Sequence, residues 1–196
     1  MANTIASAPA AETSRTQSLL RNAGLAIAAT VIIAICAHIS LPLPWTPIPL
    51  VAQALAVLIV GFLLGPQLGF ATLILYLAEG AVGLPMFNPH GPGGIAQIIG
   101  PTGGFLMAYP VVAAIAGFLR SRTNNFARNF AAAAIATAVL FICGASYFTA
   151  ITHASASTTL HAAVTPFLPG AVLKCALAAA IATVAYKVMQ KRPEQK

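Results

Sequence analysis

The sequence predicts an all-α membrane protein with six transmembrane helices and both termini on the cytoplasmic side. Three observations predict it. The chain is 59% apolar and only 7% charged, with a mean hydropathy of +0.87, too apolar for a soluble globule. Its apolar runs are each close to the length a membrane requires, since a hydrocarbon core ~30 Å thick takes roughly 20 helical residues at 1.5 Å rise. Its basic residues fall on one side of the membrane once those runs are counted.

The first run, 22–40, follows Arg15 and Arg21. It is too long for a signal peptide and leads straight into more membrane segments. Ile33-Ala-Ile-Cys36 echoes a lipoprotein box, but Ile35 stands where a small residue is required. The second and third runs, 50–64 and 67–82, form one apolar stretch broken at Gly65-Pro-Gln-Leu-Gly69. Glycine and proline can kink a transmembrane helix without ending it, which would give five spans.

Charge decides between the counts, because cytoplasmic loops are enriched in Lys and Arg. With a turn at Gly65, one side collects Arg15, Arg21, Arg120, Arg122, Arg128, Lys187, Lys191, Arg192 and Lys196, and no loop on the other side holds a basic residue. A single kinked helix would strand Arg15 and Arg21 opposite the rest. The net charge of +7 is then a topology signal, and nucleic-acid binding is not expected.

The fourth run, 101–119, opens on Gly100-Pro-Thr-Gly-Gly104. Pro101 sits where a missing N–H is tolerated, the Thr102 hydroxyl is placed to satisfy a free helix end, and the glycines allow close helix approach. The fifth run covers 130–149, after a polar connector. The sixth, 170–189, follows Pro166, Pro169 and Gly170. The predicted organisation is a cytoplasmic tail (1–20), a six-helix membrane domain (21–190) and a basic tail (191–196).

On the outer side the predicted loops are long. The first, 41–49, alternates proline with apolar residues and is stiffened toward an extended form. The second, 83–100, is too rich in glycine and proline to be helical, yet Leu84, Met86, Phe87 and Ile95 argue for an ordered cap over the bundle. The third covers 150–169.

Apart from Lys187 at the cytoplasmic end of the sixth run, Glu79 and Lys174 are the only charged residues inside the apolar runs, and both lie near outer ends. An ionisable group within the membrane costs about 2.5–3.5 kcal/mol on insertion scales, so each is a candidate functional residue. Lys174 could receive a carboxylate from outside or snorkel to the headgroups; Glu79 could pair with Lys174, accept a ligand N–H or face water. Trp45 could pack on a ligand or anchor the chain at the interface. Cys36, Cys143 and Cys175 are isolated, show no metal-type spacing with the four histidines and read as structural. Without aspartate, paired carboxylates or a nucleophile beside a base, the inventory argues against an enzyme. No metal site or cofactor is expected.

Pro44-Trp-Thr-Pro-Ile-Pro49 with Gln53, Tyr76-Leu-Ala-Glu-Gly-Ala-Val-Gly-Leu-Pro-Met-Phe87, Gly100-Pro-Thr-Gly-Gly104 and Pro166-Phe-Leu-Pro-Gly-Ala-Val-Leu-Lys174 together resemble the BioY family, the biotin-specific S components of energy-coupling factor (ECF) transporters. The resemblance covers nearly all of the chain from about residue 20. It implies capture of biotin under the outer loops of a bacterial cytoplasmic (inner) membrane protein. It also implies association with a transmembrane coupling subunit and two ATPases, and docking through small residues of the first helix, here Gly24 and Ala28. The family binds biotin with an asparagine of the cap loop, matched by Asn88, and with an acidic residue three positions before the lysine, where this chain has Ala171. Val51 stands where the family often has threonine. The expected substrate-binding set is Lys174, Asn88, Glu79, Gln53, Trp45, Phe87 and Tyr147. A self-sufficient biotin transporter or channel is the alternative, since the chain has no nucleotide-binding motif of its own.

Overall fold

The computed structural model describes residues 8–120 and 125–191. Parts of both predicted tails, with Arg122, Arg192 and Lys196, lie outside the described residues. The elements run α1 (Ala8–His38), β1 (Ser40–Leu43), β2 (Thr46–Val51), α2 (Gln53–Ala81), α3 (Gly94–Ile98), α4 (Gly103–Leu119), α5 (Phe126–Thr152), α6 (Ala156–Ala163), a 3₁₀ turn (Thr165–Phe167) and α7 (Leu168–Lys191). Among the described residues four helical stretches are long and apolar enough to cross a membrane, and α4 is a shorter apolar helix. The protein is a multi-pass membrane protein.

The stretch α2 is a helical hairpin. Gly65 has φ +82° and ψ 179°, a backbone that L side chains disfavour, and Pro66 cannot continue the helical hydrogen bonding. Gln53 consequently meets Tyr76 across the two arms at 2.8 Å, 23 residues apart in sequence. At the closed end Arg120 Nη1 donates to the Phe62 carbonyl at 2.6 Å, satisfying a backbone group that the turn leaves free.

Small residues set the packing. A methyl group on Gly61 would overlap the Ala113 carbonyl, and one on Gly117 would meet the backbone of Gly61 and Gly65 at 2.6 Å. The two arms of α2 therefore close directly on α4. The α4–α5 contact uses the same device, with Gly104 against Tyr147 and Gly144 against Phe105. Alanines 132, 133 and 136 of α5 and 178, 179 and 182 of α7 are buried, and Asn129 Nδ2 donates to Thr183 Oγ1 at 3.0 Å. The helices α2, α4, α5 and α7 close a ring, while α1 packs on α2 through Ala29 and Ile33. The outer faces are apolar and exposed, as at Ile32, Ile35, Phe118 and Ile142, the surface expected against lipid.

Several expectations change. The loop 41–49 belongs to an antiparallel β-hairpin pairing Ser40 with Val51 and Leu41 with Leu50, with an irregularity between Leu41 and Leu43. The class is thus helical with one small two-stranded sheet. Helix α1 begins at Ala8, within the predicted tail. Helix α5 begins at Phe126 because the Asn125 side chain accepts from Arg128 N at 3.1 Å and caps it. The outer loop 150–169 contains α6, capped by Ser155, and the cap loop contains α3. Thr102 precedes α4 but makes no side-chain capping bond.

Candidate functional site

At the open end of the α2 hairpin the ring of helices holds a cavity. Strand β2 supplies Ile48, Pro49 and Val51 to its wall, α2 supplies Gln53 and Leu58, and the cap loop supplies Asn88. Thr102, Phe105 and Tyr109 come from the start of α4, Thr137 and Phe141 from α5, Phe167 from the 3₁₀ turn, and Ala171 and Lys174 from the first turns of α7. Its empty space, the open mouth and adjoining solvent included, is about 730 Å³. Apolar walls with a few placed polar groups are what ligand cavities typically show.

Lys174 carries the cavity's cation. Its Nζ donates to the Val51 carbonyl at 2.6 Å, so the strand that precedes α2 holds the ammonium in place. An ammonium has three donors, which leaves two for a ligand. Among the described residues none lining the cavity is acidic. The site therefore offers one fixed positive charge, neutral amides and hydroxyls, and aromatic faces. Such a set suits a monoanion with a neutral polar head.

Asn88 is 7% exposed, and its Oδ1 accepts from His90 N at 3.1 Å, which shapes the cap loop beneath it. His90 in turn meets Ser40 Oγ at 2.9 Å, tying the cap to the β-hairpin. On the far side of the cap, Phe87 packs edge to face on Tyr76 with centroids 5.6 Å apart. Gly80 makes that contact possible, since a Cβ there would enter the Phe87 ring.

Three of the seven predicted residues, Lys174, Asn88 and Gln53, come together in the wall. The other four are not among its lining residues. Glu79 faces α1 instead: its Oε1 accepts from Thr30 Oγ1 at 3.4 Å, and its buried Oε2 has no partner among the described residues. No Glu79–Lys174 pair forms. Trp45 is 65% exposed between β1 and β2, as an interfacial anchor would be. Phe87 supports the cap from behind. Tyr147 packs on Gly104 and donates to the Ile99 carbonyl at 3.2 Å.

Sequence reasoning missed Tyr109, Thr137, Phe105, Phe141 and Phe167, and read Thr102 as a cap. Only Ala171 and Val51 carried a signal, through the positions the family resemblance singled out. Among the described residues no three of His, Cys, Asp and Glu come together as a metal site would require.

Several known proteins are similar to this chain. A biotin transporter BioY of Rhizobium etli is 30% identical over 163 residues, covering 79% of this chain and 86% of that protein. One from Thermotoga maritima is 29% identical, covering 78% and 88%. A probable biotin transporter BioY of Pyrococcus horikoshii is 44% identical over 78 residues, an alignment spanning 40% of this chain and 48% of that protein. The fold is similar to the crystal structure at 2.1 Å of the S-component for biotin from an ECF-type ABC transporter, with a TM-score of 0.79, 24% identity and coverage of 87% of this chain and 93% of that one. The model of the BioY family matches residues 8–191, the full span of the described residues, and the protein belongs to that family.

Proposed function

We propose that this chain is a substrate-capture membrane subunit for biotin uptake, a transport protein rather than an enzyme. The observation that carries the reading is a cavity with one strand-anchored ammonium, neutral hydrogen-bonding groups and aromatic walls, in a member of the BioY family. Biotin matches that chemistry: its valerate is an anion, its fused ring is apolar at sulfur, and its cyclic urea is polar without charge. Lys174 holds the carboxylate and Asn88 and Gln53 face the ring system. No resident cofactor takes part.

The domain at 21–190 crosses a bacterial inner membrane six times, the α2 hairpin counting as two passes, with both termini cytoplasmic. The reversal at Gly65 and the clustering of basic residues support this. An ECF coupling subunit and its ATPases dock on α1, where an added side-chain carbon at Gly24 would meet nothing within 4 Å and Ala28 is exposed.

Equilibrium binding of labelled biotin to the purified chain tests capture: saturable one-site binding is expected, and none would refute it. Uptake in cells lacking all coupling subunits tests partner dependence. Uptake is expected to fall to background there, and undiminished uptake would mark a self-sufficient transporter.

A further inference from the structure

The cavity wall contains a polar side chain whose orientation is dictated from behind. The Met86 carbonyl can only accept, so the Tyr76 hydroxyl, 2.5 Å away, must donate to it. With its single proton committed, that hydroxyl can only accept from the Gln53 amide at 2.8 Å. The end of Gln53 that meets Tyr76 is therefore Nε2. A glutamine amide can ordinarily present either end by a half-turn, and its neighbours decide which. Here the carbonyl acceptor at Met86 decides, through one intervening hydroxyl.

Gln53 is 2% exposed and lines the cavity. With Nε2 turned to Tyr76, Oε1 is left as the acceptor end of the amide. The other polar wall groups leave this role open. Lys174 donates only, Asn88 Oδ1 already accepts from His90 N with one of its two lone pairs, and the hydroxyls can turn either way. Ala171 occupies the wall position where the family resemblance places an acidic acceptor.

We propose that Tyr76 is a positioning residue that makes Gln53 an obligate acceptor toward the cavity, so that the site selects ligands presenting an N–H there. In biotin that donor is an N–H of the cyclic urea, so the inference rests on the proposed function. The same hydroxyl ties the amide to the cap loop at Met86, two residues before Asn88. Amide polarity and cap position are thus set together. Tyr76 is wholly buried and absent from the lining residues, so its influence on the ligand runs through Gln53.

The test titrates purified protein with biotin and with two isosteres in which one or the other ring N–H is replaced by oxygen. Wild type is expected to bind one isostere about tenfold more weakly than biotin, the loss of one hydrogen bond. Tyr76→Phe is expected to bind biotin about tenfold more weakly and that isostere almost as well as wild type does. Gln53→Leu, which keeps the bulk and removes the amide, should give the same pattern and decides the matter should Tyr76→Phe not fold. An equal fall for all three ligands, or unchanged biotin affinity, overturns the proposal. Absence of biotin binding by wild type is a separate result, and overturns the proposed function instead.

Discussion

Glu79 and Gly80 are neighbours with opposite expected phenotypes. The Glu79 carboxyl lies against Thr30 of α1, outside the cavity wall. Glu79→Gln should therefore leave the dissociation constant for biotin within about twofold, a change under the cost of one hydrogen bond. A tenfold loss in a titration would place the carboxyl in the site. Gly80→Ala should be damaging, because the new methyl enters the Phe87 ring and Phe87 supports the cap beside Asn88. Overpacking of this kind typically costs about 1–3 kcal/mol, read as a lower midpoint of thermal unfolding in detergent. Lys174 was legible in the sequence because a cation within an apolar run has to face something polar. Glu79 obeyed the same rule and found Thr30 rather than the cavity. What the sequence does not carry is the rotation of each helix about its axis, which decides whether a rim residue such as Tyr147 or a mid-helix residue such as Thr137 faces inward.

At the scale of elements, the α2 hairpin is the piece on which the cavity depends. Its arms bring Gln53 and Tyr76 together, and its closed end turns at Gly65 with φ +82°. An L side chain at such a backbone costs about 1–3 kcal/mol, so Gly65→Ala should lower stability by that order with the cavity chemistry untouched. Thermal unfolding with and without biotin separates the two effects: the midpoint should fall in both, with the biotin-induced shift retained. The helices themselves were legible because apolar runs of membrane length leave few alternatives, and the glycine-proline break at 65–66 marked the turn. The β-hairpin was not. Prolines at alternate positions suggested an extended segment, whereas the pairing of Ser40 with Val51 brings in backbone donors and acceptors that no local pattern reveals. The short helix α6 was hidden because eight residues are too few for a periodic signal, although Ser155 is a recognisable cap.

For the whole molecule, the proposed topology puts both ends of the chain and the closed end of the α2 hairpin on the cytoplasmic side, with the cavity at the opposite face. Single cysteines introduced at Thr16, Gln67 and Gln190 into a cysteine-free background should react with a membrane-impermeant thiol reagent only after cells are opened, whereas one at Trp45 should react in intact cells. Labelling of Thr16→Cys and Gln190→Cys from opposite sides would refute an even number of crossings. One ammonium, held at 2.6 Å by the Val51 carbonyl, is the proposed partner of the biotin carboxylate. The most direct measurement is a titration of wild type and Lys174→Ala with biotin and with biotin amide. Loss of a charge-assisted hydrogen bond is worth about 1.5–3 kcal/mol, so wild type should bind biotin some ten- to hundredfold more tightly than the variant does, and the amide should bind both proteins with nearly equal, weak affinity. Equal affinity of wild type and variant for biotin itself would contradict it.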